Sequence, residues 1–164
     1  GCVKKPTYKC NKNLIMKNYK ILIIEDSLIV TELLRFTLQN SSNFQIDVCN
    51  SIADLDILEH NYDIILLDHY LGKSKGIQLT GLDLLINRKK WLCNVPVIIF
   101  SAQKDNEVAI KYIEEGAINY ISKDEDDFID KIHLSINRII NTINSQDGLQ
   151  KIKEDTLNKL KNEI

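Results

Sequence analysis

The sequence has 164 residues, 44% apolar side chains and a formal net charge of −2. This combination predicts one well-packed domain with short extensions and is not typical of a disordered chain. Lys and Arg are scattered along the chain, so it lacks the concentrated basic surface that binds nucleic-acid phosphates, and we expect no direct nucleic-acid ligand. No apolar run approaches the roughly 18 residues of a bilayer span, which predicts a soluble cytoplasmic protein that does not contact membranes.

The first 18 residues are polar, and we interpret residues 1–18 as a leader of unknown role, with Met16 as an alternative natural start. The four cysteines lack the close pairing of a zinc site or a redox motif, which predicts reduced thiols. They are Cys2, Cys10, Cys49 and Cys93.

From Lys20 onward, short apolar segments alternate with longer amphipathic ones. The apolar segments are rich in Ile and Val, as is typical of strands in a parallel sheet covered on both faces. They are residues 20–25, 44–50, 63–68, 95–101 and 119–122. The segments between them have helical spacing and are residues 28–39, 51–60, 81–90, 105–115 and 126–143. This strict alternation predicts a doubly wound α/β domain. Ser51 with Asp54 predicts a helix start, and Gly116 predicts a helix end in a left-handed turn.

The last amphipathic segment carries isoleucines at alternating steps of three and four residues, a spacing that packs against another apolar surface. They are Ile129, Ile132, Ile136, Ile139 and Ile143, and the first half of the segment should cover the sheet. Residues 144–148 predict a break, and residues 149–164 predict a further, weakly amphipathic helix with Leu157, Leu160 and Ile164 on one side. Residues 144–164 are therefore expected to be a helical extension or linker; a dimerisation arm and the start of another domain are alternatives.

Polar side chains stand where the predicted strands end, at one edge of the sheet. Glu25 and Asp26 follow the first strand, Asp68 ends the third, Ser101 ends the fourth and Lys123 follows the fifth. Carboxylates about 5 Å apart repel by roughly 3 kcal/mol per pair at an effective dielectric near 20, so a positive group must be present. Lys123 offsets one negative charge. Mg²⁺ would offset the other two, because it accepts carboxylate oxygens while keeping positions for water and a phosphoryl oxygen. A carboxylate beside such cations can act as a nucleophile toward phosphorus.

Four separated motifs occur in order: "ILIIEDS" (21–27), "IILLD" (64–68), "VIIFSA" (97–102) and "GAINYISK" (116–123). On these motifs, residues 19–143 resemble the receiver domain of two-component response regulators in bacterial signalling, over about three quarters of the chain. The resemblance implies a flavodoxin-like fold, with a five-stranded parallel sheet of order 2-1-3-4-5 flanked by five helices. The C-terminal extra helix lies outside this scheme.

The resemblance also implies roles for individual residues. Asp68 is expected to be the phosphoacceptor. Asp26 and Asp68 are expected to bind Mg²⁺ directly, Glu25 largely through water, and Tyr70 through its main-chain carbonyl.

The remaining expected roles concern the phosphoryl group and the switch. Ser101 is expected to hydrogen-bond one phosphoryl oxygen and Lys123 to pair with another. Ala102 would leave room for Ser101 to shift, and Tyr120 would rotate into the vacated space. The surface of the fourth helix, fifth strand and fifth helix would then change and control an output domain or partner.

Receiver domains take the phosphoryl group from a histidine kinase or a histidine phosphotransfer protein, so the resemblance implies these partners. It implies a switch with only self-phosphorylation and self-dephosphorylation chemistry rather than an enzyme. A homodimer through the switching surface or through the C-terminal helix is a further expectation. The alternatives are an aspartyl phosphatase or phosphotransferase, a degenerate receiver that serves as a docking scaffold, and the front piece of a larger regulator whose output domain is missing.

Two features depart from the family pattern. Gly81 lies thirteen residues beyond Asp68, which predicts a longer and more mobile loop over residues 69–80. Asp124 replaces the proline that usually follows the lysine in a cis bond, so we expect a trans bond between Lys123 and Asp124.

His69 should point away from Asp68 and have a structural or surface role. His60 and His133 are expected at the surface.

Overall fold

The computed structural model describes residues 17–41, 43–57, 61–87, 94–143 and 145–164. The strands are β1 (Tyr19–Ile24), β2 (Phe44–Cys49), β3 (Ile64–Asp68), β4 (Tyr70–Ser74), β5 (Ile77–Thr80), β6 (Val97–Ser101) and β7 (Asn119–Ser122). The α-helices are α1 (Leu28–Gln39), α2 (Gly81–Asn87), α3 (Asn106–Glu114), α4 (Phe128–Thr142) and α5 (Gln146–Asn162), and a 3₁₀ helix spans Ile52–Ile57. Within these residues, no helix is long and apolar enough to cross a membrane.

Five strands form a parallel sheet in the order β2-β1-β3-β6-β7, which is the predicted 2-1-3-4-5 order counted within the sheet. The flavodoxin-like fold is therefore confirmed, together with the extra C-terminal helix. The central strands are buried along their length because helices cover both faces. On β1, Leu22 and Ile24 pack into one core and Ile21 and Ile23 pack into the other. The period of two along an extended strand produces this division.

The predicted loop after β3 contains a β-hairpin, in which β4 and β5 pair antiparallel. Ser74 pairs with Ile77, so Lys75 and Gly76 form a two-residue turn, with φ of 51° and 77°. Positive φ at both central residues is the pattern of a type I′ turn, whose twist matches that of the strands it joins. The insertion beside the sheet edge is therefore regular structure.

Several predicted boundaries hold and others move. Gly116 follows α3 with φ of 118°, as its left-handed turn required, and no cis peptide bond occurs in the described ranges, so the Lys123–Asp124 bond is trans. The second predicted helix, 51–60, is a 3₁₀ helix over Ile52–Ile57. Residues 58–60 and the predicted end of the third helix, 88–90, lie outside the described residues, as does most of the 1–18 leader.

The last two helices pack against the sheet domain. Ile132, Ile136 and Ile139 of α4 are fully buried against the sheet, as their spacing predicts. The start predicted for the final helix is wrong, because the Ser145 hydroxyl accepts a hydrogen bond from the backbone N–H of Gly148 and caps α5 three residues earlier.

Candidate functional site

Three carboxylates meet at the carboxyl edge of the sheet. Glu25 and Asp26 directly follow β1, and Asp68 is the last residue of β3, the neighbouring parallel strand. One oxygen from each side chain lies within 4.8 Å of the other two. Glu25 and Asp68 are buried, whereas Asp26 is exposed. The structure thus brings together the three acids that the sequence placed at two strand ends.

Lys123 bridges the two buried carboxylates. Its Nζ donates hydrogen bonds to Glu25 Oε2 at 2.8 Å and to Asp68 Oδ1 at 2.9 Å. The ammonium also lies 4.8 Å from the ring centroid of Phe100, and the Lys123 backbone N–H donates to the carbonyl of Ser101 at 2.7 Å. Burial lowers the pKa of Lys123, but the two hydrogen-bonded carboxylates outweigh it, so the pKa is raised overall. Lys123 is therefore a fixed cation between the two acids.

Glu25 has a raised pKa. Burial raises its pKa to about 7; the Lys123 hydrogen bond opposes this rise, and the charge of Asp68 adds to it. The two Glu25 oxygens already have partners, because Oε1 accepts the backbone N–H of Ser27 at 3.0 Å and Oε2 accepts Lys123. Three adjacent carboxylates bring more negative charge than the Lys123 ammonium can balance, so the site favours a further cation.

The donor set fits Mg²⁺. Carboxylate oxygens are hard ligands, and the open side at the exposed Asp26 leaves room for water. Backbone comes close to this side, because a Cβ on Gly72 would lie 3.4 Å from Asp26 Oδ2. Tyr70 begins β4 two residues after Asp68, and its ring contacts the ring of His69 at 4.5 Å between centroids. The metal-binding role of the Tyr70 carbonyl stays a prediction.

The predicted hydroxyl and aromatic residues meet through Gln103. Ser101 is fully buried at the end of β6, and its Oγ accepts the backbone N–H of Gln103 at 3.1 Å. The half-buried Tyr120 donates its hydroxyl to the Gln103 carbonyl at 3.0 Å. Burial raises the pKa of Tyr120. Ala102 is exposed beside them. Gln103 was not identified from the sequence because its contribution is entirely backbone.

A buried histidine lies next to the acceptor. His69 Nδ1 is 2.5 Å from the hydroxyl of Tyr112, and the Tyr112 ring lies 5.8 Å from that of Tyr120. Burial lowers the pKa of His69 and raises that of Tyr112, so both rings are neutral near pH 7. This agrees with the structural interpretation of His69. Sequence reasoning missed Tyr112, whose only signal was its position on the apolar face of α3.

Two further residues singled out in the sequence, Cys49 and His133, are described by the structure and take no part in the site. Cys49 is a buried free thiol, as predicted, and His133 is half-buried on α4. Cys2, Cys10, Cys93 and His60 lie outside the described residues.

The sequence profile of the response regulator receiver domain matches residues 21–137. The chain belongs to the receiver domain family of response regulators. The relatives of this receiver domain include the Bacillus subtilis transcriptional regulatory protein MalR, which is 36% identical over 107 residues that cover 63% of this chain and 43% of MalR. The probable C4-dicarboxylate response regulator DctR of the same organism is 30% identical over 112 residues, 65% of this chain and 46% of DctR.

A third relative carries a different name. The protein-glutamate methylesterase/protein-glutamine glutaminase 2 of Paramagnetospirillum magneticum is 32% identical over 113 residues, 65% of this chain and 30% of that protein. The receiver domain thus spans less than half the length of these three curated relatives.

Solved structures share the fold. A two-component response regulator from Clostridium difficile matches 78% of this chain and 100% of its own, with a TM-score of 0.65 and 21% identity. The BeF₃-activated DrrB receiver domain matches 76% of this chain and 98% of its own, with a TM-score of 0.64 and 18% identity.

Proposed function

We propose that this receiver domain is a Mg²⁺-dependent phosphoacceptor switch in which Asp68 takes a phosphoryl group from a histidine kinase or a histidine phosphotransfer protein. One observation carries the proposal. Asp68, Glu25 and Asp26 share a pocket in which Lys123 is hydrogen-bonded to both buried carboxylates. A receiver domain that had kept only the fold would have no need of this costly arrangement of charge. A cytoplasmic location remains the expectation from the sequence.

Asp26, Asp68 and the Tyr70 carbonyl would hold the Mg²⁺ directly. Glu25 would contact it through water, since both Glu25 oxygens already accept hydrogen bonds. When bound, Mg²⁺ would neutralise charge on the equatorial phosphoryl oxygens.

The transfer itself is a displacement at phosphorus. An Asp68 carboxylate oxygen attacks phosphorus, its new P–O bond forms, and the P–N bond to the donor histidine breaks with its electron pair staying on the imidazole. Lys123 Nζ, 2.9 Å from Asp68 Oδ1, would pair with a phosphoryl oxygen as charge builds. Ser101 at the end of the adjacent strand would donate its hydroxyl to another.

The switch follows from the new charge. A phosphoryl group that draws the Ser101 hydroxyl toward it would remove the acceptor of the Gln103 N–H. The Tyr120 hydroxyl, which donates to the Gln103 carbonyl, would then lose its fixed partner and the ring could turn. Ala102, exposed and small, would let this segment shift. The surface formed by α3, β7 and α4 would change as a result.

An apolar stripe supports docking of a protein phosphodonor next to the acceptor. Ile29, Leu33 and Phe36 of α1 follow one another at steps of four and three residues and are exposed, at 83%, 44% and 71% respectively. Because α1 begins two residues after Asp26, the stripe lies beside the site. We propose that the phosphodonor protein packs on this stripe while its phosphohistidine reaches Asp68.

The test is phosphorylation of the protein by acetyl phosphate with MgCl₂, measured by intact-protein mass spectrometry. We expect one added phosphoryl group, which should be absent when EDTA is present from the start and absent in Asp68→Asn. Asp130→Asn, an exposed aspartate on α4, is the matched control and should be labelled like the wild type. Absence of labelling in the wild type would leave the docking-scaffold alternative. Steady turnover of simple phosphate esters would favour the phosphatase alternative.

A further inference from the structure

Helix α5 covers the face formed by α3, β7 and α4, which we call the α3–β7–α4 face. Ile152 of α5 is only 5% exposed and joins the core cluster that contains Ile132 and Ile136 of α4. Leu157 and Leu160 pack against the other cluster, which contains Tyr112 of α3. The apolar side of α5 is thus packed against other residues of the same chain.

Polar contacts fix the direction of α5 on this face. Arg138 of α4 pairs with Asp155 at 3.1 Å, and Asn106 Nδ2 donates to Glu163 Oε2 at 3.4 Å. Asn106 is the first residue of α3 and Glu163 directly follows α5, so the start of α3 lies beside the end of α5. The C-terminal end of α5 therefore lies beside the segment that follows Ser101.

The cover is incomplete. A cavity of about 340 Å³ lies between α5 and the face, and its lining includes Tyr120, Leu160 and Glu163. The side chains of the ion pair between Arg138 and Asp155 are about half accessible to solvent, so their attraction is weak. A side chain of the face thus has room to move beneath α5, and α5 is held mainly by a few apolar contacts.

Short contacts link Ser101 to α5. Ser101 is hydrogen-bonded to Gln103, and Gln103 accepts the Tyr120 hydroxyl next to the cavity. The same segment continues into Asn106, which holds Glu163. A shift of Ser101 therefore reaches both the floor of the cavity and the C-terminal end of α5.

We propose that α5 is a built-in cover of the α3–β7–α4 face that loosens when Asp68 is phosphorylated. This inference rests on the proposed phosphoacceptor function, because the acyl phosphate is what moves Ser101. The docked helix occupies the surface that a partner or a second copy would need. Thermodynamic linkage adds a second requirement: if the phosphoryl group or its mimic favours undocking of α5 by some factor, the undocked form must bind that group more tightly than the docked form by the same factor.

The first measurement is hydrogen exchange of the full chain with MgCl₂, with and without beryllium fluoride. We expect the amides of α5 to exchange at least about tenfold faster with beryllium fluoride. Asp68→Asn should show no such change. Binding is measured separately by calorimetric titration of beryllium fluoride. If beryllium fluoride binds but exchange in α5 is unchanged, the cover is wrong and the phosphoacceptor proposal stands; if it does not bind, both fall.

The second measurement tests reciprocity. Asp155→Ala combined with Leu160→Ala removes an ion pair and an apolar contact of α5 without touching the acceptor site. We expect this variant to reach half-saturation at about fivefold lower beryllium fluoride concentration. Asn158→Ala, on the exposed side of α5, is the matched control and should bind like the wild type. Equal affinity for all three proteins would overturn the inference.

Discussion

Glu25 and Lys123 show how one buried ion pair prepares a site for a second cation. Lys123 Nζ lies 2.8 Å from Glu25 Oε2 and 2.9 Å from Asp68 Oδ1. Even with this pairing, the pKa of Glu25 is raised to about 7. Removal from water is the largest cause of that shift, and the neighbouring charge of Asp68 adds to it. A divalent cation would supply what Lys123 alone does not, because it stabilises the ionised form of both acids.

This raised pKa predicts a pH dependence of magnesium affinity. Below about pH 7 a proton on Glu25 competes with the metal, so affinity should fall about tenfold per pH unit and level off above pH 7. The folded chain also holds this proton more tightly than the unfolded chain does. Without magnesium, the free energy of unfolding should therefore decrease as pH rises from 4.5 through about 7. Magnesium titrations and denaturant melts between pH 5 and pH 9 measure both effects.

Glu25→Gln is the control for this dependence. The amide keeps the shape of the side chain but carries no titrating proton, so the affinity of the variant for magnesium should be lower and nearly independent of pH across this range. An equally steep dependence in Glu25→Gln would show that another group binds the competing proton.

The site residues were predictable from the sequence to the extent that each one stands beside a strand end. Asp68, Ser101 and Lys123 follow apolar runs, and parallel strands bring their carboxyl ends to one edge. The raised pKa of Glu25 was not predictable, since it depends on burial by residues distant in the chain. The pairing of Tyr112 with His69 also depends on packing, because nothing local in the sequence connects residues 43 positions apart.

At the scale of elements, α2 begins in close contact with the end of β3. A Cβ at Gly81 would lie 2.4 Å from the backbone oxygen of Asp68, and the Gly81 N–H donates to the carbonyl of His69 at 2.7 Å. The first residue of α2 can pass this point only without a side chain. The glycine thus lets the hairpin end and the helix begin directly beneath the acceptor.

Gly81→Ala should therefore lower the free energy of unfolding by about 2–3 kcal/mol, as overpacking against rigid backbone does. It should also slow acetyl phosphate labelling, because the Asp68 backbone must shift to admit the methyl group. Gly76→Ala is the control: its Cβ meets nothing within 4 Å, and its φ of 77° alone should cost about 1–2 kcal/mol without changing labelling. Urea melts and labelling time courses decide; unchanged labelling in Gly81→Ala would contradict the expectation.

The elements differ in how far the sequence specified them. The five sheet strands were found because short segments rich in Ile and Val alternate regularly with longer amphipathic segments. The β4–β5 hairpin was not found, since its turn residue Lys75 adopts a φ of 51° that Asn or Gly would normally signal. The early start of α5 was missed because Gly148 reads as a breaker, yet it lies in the first turn that Ser145 caps.

At the scale of the whole molecule, two apolar layers hold the sheet rigid beneath a polar edge. The strands carry the acids at their ends, and the layers above and below fix the strands. The apolar layers and the acidic edge are therefore different parts of the fold, which allows substitutions in the layers without direct contact with the edge.

Two aliphatic residues of α4, one buried and one exposed, test that separation. Ile136 is fully buried against the sheet, and Ile136→Ala should lower the free energy of unfolding by about 2–5 kcal/mol, through lost burial and the cavity left behind. Leu134, two residues away on the same helix, is 69% exposed. Leu134→Ala should therefore change the free energy of unfolding by no more than about 0.5 kcal/mol. Both variants, assayed well below their melting temperatures, should accept the phosphoryl group from acetyl phosphate at the wild-type rate, because neither side chain touches the acceptor. Slower labelling of folded Ile136→Ala would mean that core packing and acceptor geometry are coupled through β7, and the division between the two parts of the fold would not hold.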